Sequence, residues 1–280
     1  MAESMFDYEI PVAEWVETGV DWIQVNFTGA LDIIAEVIDF VVGSLEDGLL
    51  ALPPWLLALA IVVLAGWRVG WKFGVFALAA LALIVGMDIW DETVSTLALV
   101  LGASIIALLV GIPIGIAMAR NDSVEAIIRP ILDFMQTMPP FVYLIPAAIF
   151  FGLGKVPGAI ATLVFSMPPA VRLTNLGIRQ VNEEFVEAGL AFGCTSRQLL
   201  VKVQLPLAMP SIMAGINQTI MLALSMVVIA SMIGAGGLGN TVLTGIQRLN
   251  VGLGFEGGLG VVLLAILLDR ITQSFGKSRS

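Results

Sequence analysis

The sequence predicts an all-α membrane protein of about seven transmembrane helices, preceded by an amphipathic helix on the outer side. Three observations carry that prediction. Of 280 residues, 58% are hydrophobic and 12% charged, with mean hydropathy +0.98. A soluble domain carries about a quarter charged residues, and one water-soluble core of ordinary size cannot hide this much apolar surface. The apolar residues gather in stretches long enough to cross a hydrocarbon core of about 30 Å, and the basic residues concentrate in alternate loops between those stretches.

The first 67 residues hold 11 acids and no base. The start MAESMFDYEIPVAEW lacks a basic n-region followed by an apolar run, so it does not read as a signal peptide. Between Leu31 and Asp47 the apolar residues Leu31, Ile34, Ile38, Val41 and Leu45 recur at helical spacing, with Asp32, Glu36, Asp39 and Glu46 opposite. That pattern is an amphipathic helix. Its polar face is acidic rather than basic, which suits a helix packed beside the spans better than one binding anionic lipid.

Spans follow at 51–67, 72–89, 94–119, 134–152, 156–173, 208–235 and 258–275. Lys and Arg near span ends mark the inner side. With the N-terminus outside and the C-terminus inside, only Lys155 and Arg248 of the 13 basic residues fall on the wrong side. Arg270, within the last span, can snorkel inward. The chain thus divides into an acidic segment with its helix (1–50), two peripheral spans (51–92) and a core (93–280) whose longest inner loop is 174–207. This is the signature of a multi-pass protein of the cytoplasmic membrane.

Ten of the 13 prolines lie between Pro113 and Pro210, including the triplets Met138-Pro139-Pro140 and Met167-Pro168-Pro169. Broken helices are tolerated in lipid only where protein or a water-filled cavity satisfies the freed backbone groups. The triplets therefore mark either kinks in packed helices or bends lining a pathway. Gly111 and Gly115 form a small-xxx-small pair suited to a close helix crossing. Residues able to line a weakly polar channel include Gln136, Met138, Tyr143, Met167, Asn217, Gln218 and Ser225, core packing being the default for the methionines. The Gly-rich outer loop 235–257 suits a flexible connection or a docking surface equally.

Composition excludes several functions. There is no His and one Cys, which removes a Ser-His site, a His-bearing metal site, disulfides within the chain and CxxC chemistry. The net charge of −9 argues against nucleic acid. A Walker A loop needs Gly-x-x-x-x-Gly-Lys-Ser/Thr, but Gly276-Lys277-Ser278 has Ile271 where the first Gly belongs. The chain is thus not an ATPase.

In the loop 174–207, acids at Glu183, Glu184 and Glu187 suit a helix N-terminus, Gly193 permits a tight turn, and Ser196 can cap a second short helix ending near Pro206. Here Glu187-Ala188-Gly189, Gly193, Val203, Leu205 and Pro206 stand at the spacing of Glu-Ala-Ala, three residues, Gly, nine residues, Ile, one residue, Leu-Pro. The loop resembles the EAA loop of ABC importer permeases, with Gly189 for the second Ala and Val203 for Ile. The stretch Lys202–Gly239 is similar to permeases of the glycine betaine/proline importers, within whose branch choline, carnitine and trimethylamine N-oxide are alternative cargoes.

The resemblance implies the type I ABC importer permease fold and a non-enzymatic transport subunit that binds no cofactor itself. It implies two copies of the chain in the bilayer, ATP and Mg held by a partner ATP-binding subunit, and a separate extracytoplasmic binding protein. The helix near 183–194 would seat in the ATPase, Gly193 setting the loop's angle and Glu187 fixing the loop or touching the partner. A permease for another small solute, such as an amino acid, would carry the same loop. A secondary transporter would show internal repeats and acids near the midplane of its spans; this sequence shows no repeat beyond the short Met-Pro-Pro echo and no acid near the midplane of spans three to six.

Overall fold

A computed structural model describes residues 11–276, and among them the chain is α-helical with short connections. The acids Glu3, Asp7 and Glu9 and the basic tail at Lys277 and Arg279 lie outside the described residues.

Helix α1 runs from Val12 to Leu50, departing from helical dihedrals at Phe27 (φ −119°, ψ 17°). It is therefore much longer than the expected 31–47. Its second half docks: Ile38 and Val42 are buried with Leu99, Ala159, Ala230 and Ala235. Where α1 crosses Gly102, a Cβ would stand 2.8 Å from Val42 Cγ2, so only glycine permits the approach. The buried stripe is rotated from the expected one. Val42 rather than Val41 faces inward, and Glu46, expected on the acidic face, is buried. Both its carboxylate oxygens lie 2.6 Å from Lys155 Nζ. A buried charge is stable when paired, and Lys155 supplies the partner.

Helices α2 (Pro54–Arg68) and α3 (Trp71–Gly86) form a hairpin closed at Gly66 and Gly74. Their 15 and 16 residues span about 22 and 24 Å at about 1.5 Å per residue. The Arg68 guanidinium donates to the Ser274 carbonyl at 3.1 Å and covers the Phe275 ring at 4.2 Å.

The core begins with α4 (Trp90–Arg120) and α5 (Asp122–Thr137). The expected fourth span, 134–152, is broken. After α5 the chain turns by 109° into a 3-10 turn, Pro140–Tyr143, and α6, Leu144–Phe151. Met138 and Pro139 are extended (ψ 134° and 139°), as residues before proline prefer. Helices α7 (Lys155–Ser166) and α8 (Pro168–Arg179) instead form one apolar stretch, because Met167 keeps helical dihedrals (φ −67°, ψ −36°).

Helix α8 lies against α4 at the glycine pair. A Cβ on Gly111 would meet Ala170 and Met167 at 3.3 Å, and one on Gly115 would stand 2.6 Å from the Val171 carbonyl. After α9 (Glu183–Ala191) and α10 (Ser196–Leu199), a π-helical turn, Leu200–Gln204, leads without interruption into α11 (Leu205–Ser231). The Gly-rich stretch 235–257, read from sequence as a loop, contains a helix, α12 (Gly237–Gln247), before α13 (Val251–Gly276). Its glycines serve close approach: a Cβ on Gly245 would stand 2.4 Å from Gly254 N, and one on Gly239 2.3 Å from the Val227 carbonyl.

Among the described residues four stretches are each long and apolar enough to cross a membrane: α4, Lys155–Arg179, Ser196–Ser231 and α13. Two bent pairs, α1 with α2 at 103° and α5 with Pro140–Phe151, raise the number to six, and α3 is a shorter apolar helix. The main core joins α2, α3, α4, α11, α12 and α13 through Ala65, Ile84, Val100, Ala223, Leu238 and Leu264.

Candidate functional site

The loop between α8 and α11 is shorter than the expected 174–207, because helix persists to Arg179 and resumes at Ser196. Asn182 caps α9, its Oδ1 accepting from Glu184 N at 3.1 Å. The carboxylates of Glu183 and Glu184 stand in the first turn, where the helix dipole favours them. At the other end Gly193 takes φ +77°, so Gly193 N reaches the Leu190 carbonyl at 2.9 Å and Cys194 N the Gly189 carbonyl at 3.0 Å. Such a left-handed residue closes a helix and turns the chain sharply.

Thr195, rather than the expected Ser196, caps α10. Its Oγ1 accepts from Gln198 N while the Gln198 side chain accepts from Thr195 N, a complete capping box. The cap must lie outside the helix with extended dihedrals; Thr195 does (ψ 159°), whereas Ser196 is already the first helical residue.

The motif residues divide between scaffold and surface. Gly189 is buried, and a Cβ there would meet Leu199 Cδ1 at 2.7 Å, with Val203 Cγ2 at 3.7 Å. An alanine at Gly189 would require the Leu199 side chain to shift. Leu205 joins Ile178, Leu200, Ala208 and Ile212 in a core cluster, and Pro206 sits where the π-helical turn passes into α11. Glu187 and Ala188 are exposed. So are Phe185 (52%), Leu190 (55%) and Phe192 (89%). A nine-residue helix rigidly capped at both ends thus presents large apolar groups among carboxylates.

At the root of this loop α5 and α8 enclose a cavity of about 290 Å³ lined by Met118, Glu125, Asp133, Arg172, Asn175 and Arg179, among others. Arg172 pairs with Asp133 at 2.5 Å, and Arg179 with Asp122 at 2.7 Å and Glu125 at 2.9 Å. Sequence reasoning counted these arginines only as loop charges. Their spacing of seven on one helix, facing Asp133, 39 positions before Arg172, and Glu125, 54 positions before Arg179, was the signal for a shared face.

The pathway candidates separate into three groups. Met138 and Tyr143 pack with Ala161 and Met226, Tyr143 donating to the Met135 carbonyl, and Met167 packs with Met118 and Leu132. Asn217 and Gln218 line a cavity of about 370 Å³ with Met213 and Gln273. Asn217 Nδ2 donates to Asp269 at 2.8 Å, and Gln273 donates to the same oxygen at 2.7 Å. Gln136 and Ser225 are exposed on other surfaces.

The family described as "Binding-protein-dependent transport system inner membrane component" matches residues 111–279. The chain belongs to this family. The permease is 51% identical to the glycine betaine/carnitine transport permease protein of Listeria monocytogenes, over 96% of both chains. It is 48% identical to the glycine betaine/proline betaine transport system permease protein of Escherichia coli, over 97% of this chain and 77% of that one. Its fold is similar to an inward-facing structure of the MetNI methionine ABC transporter, at TM-score 0.61 and 19% identity over 67% of this chain and 94% of that one. The permease is a multi-pass inner-membrane protein with the architecture of an ABC importer permease. The match to the Listeria protein extends the relationship beyond the family segment, over α2, α3 and most of α1.

Proposed function

We propose that this permease carries quaternary-ammonium osmolytes of the glycine betaine/proline betaine type through the inner membrane. Binding of ATP with Mg by a partner subunit drives the transport, and an extracytoplasmic binding protein supplies the cargo. The substrates in the names of relatives near 50% identity support the cargo class. The single observation that carries the coupling role is α9: an exposed helix bearing Phe185, Leu190 and Phe192 among Glu183, Glu184 and Glu187, held stiff by the Gly193 turn and the Thr195 cap. An uncovered apolar surface of this kind marks an interaction site.

In this reading two copies of the permease sit side by side, the N-terminus outside and the C-terminus inside, and α9 of each copy seats in a nucleotide-binding subunit. Closure of the ATPase pair displaces both α9 helices, and the bent core helices convert the displacement into alternating access. Asn217 and Gln218 contribute to the pathway, whereas Met138, Tyr143 and Met167 support the helices that move.

The test is reconstitution of the permease with the ATPase and binding protein encoded beside it. ATP-dependent uptake of glycine betaine, competed by choline, carnitine or trimethylamine N-oxide, is the expected result, together with a cross-link from Phe192→Cys to the ATPase. Uptake of an amino acid in place of betaine would reassign the cargo. Transport by the permease without any nucleotide-binding subunit would overturn the proposal.

A further inference from the structure

Arg179 is the last residue of α8, three positions before the Asn182 cap of α9. Its guanidinium reaches four groups on three helices. Nε donates to Asn175 Oδ1 at 3.1 Å on its own helix; Nη2 stands 2.8 Å from the Met118 carbonyl on α4, 2.7 Å from Asp122 Oδ1 and 2.9 Å from Glu125 Oε2 on α5. Glu125 is itself mostly buried; its other oxygen accepts from Asn175 Nδ2 at 3.2 Å and lies 3.3 Å from Arg129. One planar fork therefore ties the base of the loop to the junction of α4 and α5. A lysine cannot reproduce that geometry.

The position of the clasp has a mechanical consequence. From Asp122 helix α5 runs as a helical rod of 16 residues, with Pro130 inside it, to the 109° bend before Pro140. On α8, one and two turns nearer the membrane, Asn175 and Arg172 bind the same rod at Glu125 and Asp133. Any displacement of α9 large enough to move the end of α8 must either carry α5 with it or break the Arg179 clasp. We propose that Arg179, through Glu125 and Asp122, is the positioning residue that transmits the movement of α9 to α5 and so to the broken helix Pro140–Phe151. This inference rests on α9 being the ATPase seat; it adds the route by which the displacement enters the membrane. A merely structural ion pair would affect the amount of folded protein, whereas a transmitting one sets how much cargo moves per ATP.

The experiment measures cargo uptake and ATP hydrolysis in the same proteoliposomes holding the full transporter. Arg179→Gln is expected to keep about half or more of the cargo-stimulated ATPase activity while uptake per ATP falls about tenfold, the scale of a typical coupling free energy. Glu125→Gln is expected to lower the same ratio, and Arg179→Lys to restore part of it. Arg129→Gln, which removes only the exposed neighbour of Glu125, leaves the ratio unchanged. If Arg179→Gln does not assemble, Glu125→Gln decides on the same ratio. Unchanged uptake per ATP in the assembled variants, with the Phe192→Cys cross-link to the ATPase intact, overturns the transmission role alone. Loss of that cross-link in the unsubstituted background would instead defeat the reading of α9.

Discussion

Gly193 and Gly115 are both glycines that structure demands, for opposite reasons. At Gly193 the demand is conformational: φ is +77°, yet nothing lies within 4 Å of where a Cβ would stand. Gly193→Asp therefore costs only backbone strain, about 1–2 kcal/mol, and leaves the permease folded. It alters the angle between α9 and α10, so uptake and transport-linked ATP hydrolysis are expected to be lost at normal membrane levels. At Gly115 the demand is steric: a Cβ would press on the Val171 carbonyl at 2.6 Å and Thr174 Cβ at 2.7 Å. Gly115→Val must push α4 from α8, costing about 1–3 kcal/mol or more, and a lower Tm in detergent checks it. The first glycine was legible in its motif and the second in its small-xxx-small spacing. Which kind of demand each meets was not, because that depends on what lies across the crossing.

At the scale of elements, two short helices and one long one illustrate different controls. Helix α10 has four residues and exists through its cap and its neighbours. Thr195→Ala removes the capping box at a cost of about 1 kcal/mol, and faster amide exchange over 189–199 with reduced uptake is the expected outcome. Helix α1 is anchored by Glu46 against Lys155. Because the Lys155 side chain is 46% exposed, it rehydrates when its partner is lost, so Glu46→Gln costs about 1 kcal/mol rather than the larger penalty of a stranded charge. A small Tm decrease with retained transport checks this. Neither feature was readable from local pattern. A helical wheel placed Glu46 with the acids, and only the position of Lys155, 109 residues away, makes its burial stable. Helix α12 escaped for a related reason: its glycines read as part of a loop, whereas they admit α13 and α11 at backbone distance.

For the whole molecule the arrangement of ends is the testable quantity. The ends of α4 and α8 meet at Arg179, and Arg68 at the end of α2 meets the end of α13, while Glu46, Lys155 and the junction of Leu238 with Thr96 mark the opposite side. In a Cys194→Ser background, Phe192→Cys is expected to react with an impermeant thiol reagent only from the inner side, and Leu153→Cys only from the outer side. The reverse pattern would invert the proposed orientation.

The sequence by itself determined the membrane class, the positions of the apolar stretches and the spacing of the loop motif, because each is set by local composition and short-range periodicity. Only tertiary structure decided between the two Met-Pro-Pro triplets. Pro139 remains exposed and the chain bends there, whereas Pro168 and Pro169 are buried, with Gly111 and Gly215 admitting their neighbours at van der Waals distance. The same three residues break one helix and continue the other. A proline removes one hydrogen bond wherever it stands, and whether the helix survives depends on the packing that surrounds it.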